Sequence, residues 1–241
     1  MKPAFEVSAV SDQGFVRKNN EDSILVREAD GLFAVADGMG GGAHGELASR
    51  WLCDALEGAK TRGEIERAVK TANERILYYA KAHNYRMMGT TLALVLAQRD
   101  GKVMAGWIGD SRIYHLHDGK IALATRDHSV ANVIDDADKG KLDIPAEDFL
   151  RMVAIAMNDR SALNLLTRVV GMEERLELDL KMLDVAPGDR ILICSDGVHS
   201  LLTDEEIGRG LGSGDPILTL SAMVRERGAT DNFSMIAMKA K

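Results

Sequence analysis

Apolar and polar positions along the chain switch between two periods, and the switches mark out its elements. Phe5, Val7 and Ala9 alternate with polar neighbours, a strand pattern that runs into the polar turn SDQG at Ser11 to Gly14. A continuous apolar run from Leu32 ends at Asp37 and opens into Gly38, Gly40, Gly41 and Gly42. From Glu46 the spacing is helical, with Leu47, Trp51, Leu52, Ala55 and Leu56 on one face. A second helix is expected over Glu64 to Ala82, carrying Ile65, Ala68, Val69, Ala72, Ile76 and Tyr79, and the connection between the two falls near Gly58 to Gly63.

Strands then follow closely: Thr90 to Gln98, Lys102 to Ile108, Arg112 to His117 and Lys120 to Thr125, separated by RDG at Arg99 to Gly101 and HDG at His117 to Gly119. Turns this short demand antiparallel neighbours, which excludes a doubly wound parallel sheet, and no GxGxxG follows a strand. The middle, Asp127 to Gly171, is helical by pattern, with Ala131, Val133 and Ile134 on one face, then Phe149 to Ala156 and Ala162 to Val170. Within it the acidic piece Asp135 to Asp143 reads as an exposed connection. Strands are expected at Leu176 to Leu183 and Asp189 to Cys194 around Pro187-Gly188, helices at Asp204 to Gly210 behind Thr203 and Pro216 to Arg227 behind Asp215, and a final strand at Phe233 to Lys239.

Composition narrows the function. The 241 residues are 46% hydrophobic and 28% charged, as expected of one globular domain spanning 1–241. A net charge of -7 without a basic cluster argues against nucleic acid. No leader-like or membrane-length apolar stretch is present, so a cytoplasmic protein with no membrane partner is expected. Cys53 and Cys194 lie in apolar surroundings and read as buried, reduced thiols.

Three apolar runs end on an aspartate, Asp37, Asp110 and Asp196, while Asp22 and Asp231 stand just before two others. One such aspartate is ordinarily a turn residue; together they point to a shared site. Buried carboxylates need a cation, and an all-oxygen donor set without a His pair or a Cys favours Mg2+ or Mn2+ over zinc. Gly38 could bring its carbonyl beside Asp37, and two cations about 4 Å apart could activate a shared water. Arg17, five residues before Asp22, is suited to bidentate contact with a phosphate, although an arginine in a charged loop ordinarily just faces water.

In order along the chain stand GFVRKNNEDS (Gly14 to Ser23), VADGMGG (Val35 to Gly41), GTTL (Gly89 to Leu92), IGDSRIY (Ile108 to Tyr114), RDHS (Arg126 to Ser129), PGDRILICSDG (Pro187 to Gly197) and TDNFS (Thr230 to Ser234). Together they resemble the metal-dependent (PP2C-like, PPM) serine/threonine protein phosphatases, especially compact bacterial members. The resemblance implies an α+β fold, a four-layer αββα sandwich of two antiparallel sheets flanked by helices, with a variable flap within about 127–171. It implies that Asp37 bridges two metals, that Asp22 and the Gly38 carbonyl serve one and Asp196 and Asp231 the other, and that Asp110 with Asp196 holds a weaker third. Arg17 would grip the phosphate and Glu21 would accept from metal-bound water.

The implied reaction is in-line attack of a metal-bridging hydroxide on phosphoserine or phosphothreonine, without a phosphoenzyme. Phosphoproteins and a cognate Ser/Thr kinase are the implied partners, and a monomer is expected. Where many eukaryotic relatives carry a histidine proposed as general acid, this chain has Met39, so a metal-bound water is the expected acid. Bacterial relatives often read GGH after the methionine; here Gly42 stands there and His44 comes two positions later, as a substrate-side or acid residue or as an ordinary loop or helix-start histidine. His128, in RDHS, reads as a satisfied structural histidine.

Two rivals remain at this point. Gly109-Asp110-Ser111 and the Asp196 to His199 spacing resemble the nucleophile and acid–base blocks of a GDS-type esterase. A phosphatase-like regulatory protein without turnover is the other. Cysteine-dependent phosphatases are excluded, because neither cysteine has an arginine at the sixth position after it.

Overall fold

The computed structural model describes residues 4–40, 43–98, 101–142 and 144–241. Expectations placed on Gly41, Gly42, Arg99, Asp100 and Asp143 lie outside the described residues.

Eleven strands form two antiparallel sheets among the described residues. The first takes β1 (Phe5–Asp12), β11 (Phe233–Ala240), β10 (Arg190–Cys194), β7 (Arg112–His117) and β8 (Lys120–Leu123), in that spatial order. The second takes β2 (Asp22–Arg27), β3 (Leu32–Met39), β5 (Leu92–Ala97), β6 (Lys102–Ile108) and β9 (Asp179–Asp184), with β4 (Gly89–Thr90) on the far end of β3. Helices α1 (Ala43–Leu56) and α2 (Arg62–Ala82) cover the second sheet; α5 (Asp196–His199), α6 (Asp204–Leu211) and α7 (Pro216–Glu226) cover the first.

The apolar runs follow from this layering. In β3, Leu32, Ala34 and Ala36 join the core under α1 and α2, while Phe33 and Val35 join the core between the sheets with Val95, Ile191, Ile193 and Ile236. A third core sets Tyr114, Leu192 and Met235 against Ile207, Leu220 and Val224. A strand buried on both faces loses its polar alternation, which is why β3, β5 and β10 read as unbroken apolar runs. Period two also puts Asp37 on the face of Phe33 and Val35, between the sheets. The αββα sandwich expected from the resemblance is the observed architecture.

Four expectations are corrected. Asp37 does not end its strand, because β3 runs on to Met39 by pairing with β4, Gly38 opposite Thr90. The strand expected over Thr90 to Gln98 breaks at Thr91, whose hydroxyl turns to the Asp37 backbone. The strand expected over Leu176 to Leu183 starts only at Asp179, where pairing with β6 begins, and runs to Asp184. The helix expected over Ala162 to Val170 is a short 3-10 turn, Arg160–Asn164, followed by extended chain that bridges Leu166 to Ser129 and Val170 to Thr90. Its β-branched Thr167, Val169 and Val170 favour extended backbone. The rest of the 127–171 segment is α3 (Val130–Asp138) and α4 (Ala146–Asn158); Asp135 and Asp136 lie at the end of α3, their side chains 42% and 38% exposed, each 2.8 Å from Arg126, and the chain from Asp138 to Leu142 is exposed as expected. At the HDG turn, positive φ at Asp118 (47°) and Gly119 (74°) matches the twist of a two-residue hairpin.

Candidate active site

Antiparallel pairing of β2 with β3 sets Asp22 directly opposite Asp37. Like charges across a rung repel, so this pair is costly as two bare anions. Asp196 follows β10 from the facing sheet and reaches Asp37, with which it shares a hydrogen bond. Asp110 closes the group from the turn after β6, and Asp231 stands at its rim before β11. The structure thus gathers five aspartates from five segments.

Their electrostatics express crowding. Burial raises Asp22 to about 7, against hydrogen bonds that favour its charged form and with the charges of Asp196 and Asp231 adding to the rise. Burial, then the charges of Asp22, Asp196 and Asp110, raises Asp37 well above the ordinary carboxylate range. Asp196 is raised by burial and by Asp231; Asp110 is pushed to about 7 by burial, Asp196 and Asp127. Among the described residues no lysine or arginine forms an ion pair with Asp22, Asp37, Asp110 or Asp196. Asp22 Oδ2 accepts from Ser195 Oγ at 2.8 Å, but its Oδ1 is buried with no hydrogen-bond partner. An acceptor in that position calls for a cation, and the donor set is all oxygen.

The backbone around Asp37 is fixed by the GTTL segment. Thr91 N donates to Asp37 O at 2.8 Å, Thr91 Oγ1 accepts from Asp37 N at 3.0 Å, and Thr90 Oγ1 donates to Asp37 O at 3.0 Å. Gly38 N donates to Glu21 O at 3.1 Å. A Cβ at residue 38 would stand 2.1 Å from the Gly45 carbonyl oxygen and 2.6 Å from that of Glu21. Glycine is required there by close packing of α1 on β3, not by a turn. The Glu21 carboxyl lies against Gly45 in the first turn of α1 and is raised mainly by burial.

Arg17 sits on the outer side. Its Nη2 donates to Asp231 Oδ2 at 2.5 Å, and its side chain is 55% exposed. The loop carrying it is clamped by Asn232, whose Oδ1 accepts from Glu21 N at 2.9 Å and whose Nδ2 donates to Gln13 O at 2.8 Å and Asn19 O at 2.9 Å. Gly14, at φ 72°, lets the loop pass within 2.2 Å, measured from an added Cβ, of the Asp231 carbonyl. Asn232, Ser195 and Thr91 had no assigned role in the sequence reading. Their signal was present, since each lies inside a quoted motif beside one of the aspartates or just ahead of a strand.

His44 stacks on Tyr85, with centroids 3.8 Å apart. His128 Nδ1 accepts from Gly109 N at 3.0 Å and its Nε2 faces Asp179 Oδ2 at 3.1 Å, so it ties the chain ahead of α3 to the end of β6 and the start of β9. The esterase reading fails on geometry. Ser111 is 0% exposed and its Oγ bonds Thr91 Oγ1 at 2.7 Å, while His199 Nε2 meets the Asp110 carbonyl at 3.0 Å instead. Burial holds His199 down at about 4 and pushes the Cys53 thiol up to about 12, so neither suits a nucleophilic system at neutral pH. No described helix is long and apolar enough to cross a membrane.

Comparison with known proteins agrees with this geometry. The family model for protein phosphatase 2C matches residues 16–230. A putative protein phosphatase 2C-type of Streptococcus pyogenes is 30% identical over 221 residues, 86% of this chain and 85% of that one. The serine/threonine protein phosphatase PstP of Mycobacterium tuberculosis is 36% identical over 210 residues, 83% of this chain but 37% of its own length. The structure of PppA from Pseudomonas aeruginosa superposes with a TM-score of 0.82 at 32% identity, covering 98% of both chains. A PstP catalytic domain described in complex with 2 manganese ions gives 0.79 at 29%, covering 100% of this chain and 99% of that one. With its acidic cluster assembled in that fold, the chain belongs to the protein phosphatase 2C family of serine/threonine phosphatases.

Proposed function

We propose that the chain, as one phosphatase domain over 1–241, removes phosphate from phosphoserine and phosphothreonine in proteins at the Asp22, Asp37, Asp110, Asp196 and Asp231 cluster, with Mn2+ or Mg2+ as cofactor. The observation that carries this reading is the partnerless, buried Asp22 Oδ1 beside Asp37, in a cluster where burial and mutual charge hold Asp22, Asp37, Asp110 and Asp196 above the ordinary carboxylate range. Asp37, Asp22 and the Gly38 carbonyl would hold one cation and Asp37, Asp196 and Asp231 a second, while Asp110 with Asp196 would offer a weaker third position. The 2 manganese ions described for the PstP catalytic domain support this count.

When bound, such cations polarise the phosphoryl oxygens and lower the pKa of water so that it attacks in line. The chain's own residues do the positioning. Arg17, exposed and held among the described residues at its Nη2 end, keeps further N–H donors for a phosphate dianion. Moving from Asp231 to substrate would free that carboxylate for a cation. Thr90, Thr91 and Ser195 hold the aspartates from behind, and Glu21, beside Gly45, accepts from water at the edge of the site. Met39 carries no proton to give, so protonation of the departing seryl or threonyl oxygen falls to water.

No side chain supplies a nucleophile in this scheme, so no phosphoenzyme forms. Because the substrate is a phosphorylated protein, a Ser/Thr kinase acting on the same proteins is the expected counterpart. A cytoplasmic monomer accords with the acidic composition and with the absence of any membrane-length apolar helix among the described residues. The test is hydrolysis of a phosphothreonine peptide by the purified chain, with Mn2+ and with a chelator. Release of phosphate only with the cation supports the reading; none at saturating Mn2+ would favour a catalytically silent relative.

A further inference from the structure

The strand that delivers Asp196 to the acidic cluster begins, at its other end, in a different set of donors. Asp189 immediately precedes β10 and Asp196 follows it, a separation of roughly 20 Å at about 3.3 Å per residue. On neighbouring β7, His115 and His117 are two residues apart and share the face of Ile113, at the rim of the core between the sheets. The register pairs Leu116 with Arg190, which brings His117 opposite Asp189.

Both imidazoles converge on one carboxylate. His115 Nε2 lies 2.8 Å from Asp189 Oδ2, and His117 Nδ1 lies 2.8 Å from Asp189 Oδ1. Asp189 is 5% exposed and its Oδ2 also accepts from Ala186 N at 3.0 Å, so its orientation is set by the Pro187-Gly188 turn. One donor atom from each of the three side chains falls within 4.8 Å of the others. Nitrogen and oxygen ligands bound at ~2.0–2.2 Å around a tetrahedral ion stand roughly 3.4 Å apart, so an ion would part each imidazole from the carboxylate beyond its present 2.8 Å by a small side-chain shift. His117 has the freedom to make it, with a side chain 55% exposed. Its remaining Nε2 lies 3.5 Å from Asp118 Oδ2, the outer carboxylate that fixes ring orientation in many histidine-bound metals.

Hydrogen bonding alone could use the same three residues as a staple for the turn. A single histidine would suffice for that, whereas two imidazoles with one buried, backbone-held carboxylate make a three-ligand set for a borderline cation. Lys120, paired with His117 across β7 and β8, is exposed and free to keep its ammonium in water. We propose that His115, His117 and Asp189 form a transition-metal site, suited to Zn2+ with water in the fourth position, that clamps the β7–β8 hairpin to the turn between β9 and β10. Its distance from the aspartate cluster makes it a structural site, independent of the proposed reaction.

The test uses Zn2+ and, as a spectroscopic probe, Co2+, added to chelator-stripped full-length protein and to His117→Ala. Histidine 117 is exposed, so the variant should melt with the parent in the presence of chelator and keep its Mn2+-dependent activity. The parent should show visible Co2+ bands displaced by Zn2+ and a rise in Tm with Zn2+. His117→Ala should lose the bands and the part of the rise that persists in Asp37→Asn, with Zn2+ bound there at least ~10-fold more weakly. His115→Gln should weaken binding in the same direction. Unchanged Zn2+ affinity and stoichiometry in His117→Ala, or no Zn2+ binding by the parent beyond what Asp37→Asn removes, would overturn the proposal.

Discussion

Asp22, buried, and Asp37, half-buried, face each other on the first rung between β2 and β3, on the side where the two sheets meet. Among the described residues no other cross-strand pair sets two carboxylates opposite each other. The Ser195 hydroxyl reaches one oxygen of Asp22 and leaves the other without a partner. The fold holds this repulsion with its β-ladders and with the threonines behind Asp37, as expected where stability is given up for chemistry.

Metal-free protein should lose stability as pH rises. Asp22 and Asp110, at about 7 in the folded chain, and Asp37 and Asp196, raised as well, bind protons that the unfolded chain has released above about 4. The folded state therefore holds more protons between pH 4 and 7, and stability falls across that window. His199, lowered to about 4, acts in the opposite direction as a single group. Melting followed by circular dichroism should show Tm dropping by on the order of 5–10 °C between pH 5 and 7.5 in chelator, a drop that Mn2+ removes. Asp22→Asn should shallow it.

Asn232→Ala should damage stability and substrate binding together. The side chain is buried and ties Glu21 N, Gln13 O and Asn19 O, leaving all three without that partner when truncated. A loss of ~3 kcal/mol is expected in urea unfolding, and a raised KM for phosphopeptide, because the loop that carries Arg17 is released.

Replacing Arg17 should separate binding from chemistry. Arg17→Ala is expected to raise KM for a phosphopeptide ~10- to 100-fold with a smaller fall in kcat, and Arg17→Lys to fall between, since lysine keeps the charge but not the fork. Steady-state kinetics at saturating Mn2+ would show the split.

Ser111→Ala should keep phosphatase activity close to that of the parent. Its Oγ is buried against Thr91 and touches no open site, so only about 1 kcal/mol of stability is at stake. A loss of hydrolysis without a fall in Tm would revive Ser111 as a nucleophile.

Much of this architecture was legible from residues alone. β6 runs from Lys102 to Ile108 as its apolar pattern indicated, and Thr203 and Asp215 cap α6 and α7 through their side chains. What misled was context. Ala162 to Val170 has helical spacing, but its end pairs with Thr90 across the chain, a partnership no local pattern reveals. Asp37 looked like a strand end because its ladder continues only through the two residues of β4. The five aspartates could be named from sequence as strand-flanking acids, but Asn232 and Thr91 act on segments 211 and 54 residues away, which only the fold brings near.

The most direct measurement of the aspartate cluster's role is Mn2+ titration by calorimetry, paired with phosphothreonine-peptide hydrolysis, in the parent chain, Asp37→Asn and Asp196→Asn. The parent is expected to bind Mn2+ and to hydrolyse only when loaded; each variant should stay folded, bind Mn2+ more weakly and lose hydrolysis by about 1,000-fold or more. Full activity in either variant, or parent hydrolysis that persists in chelator, would contradict the two-cation site at Asp37.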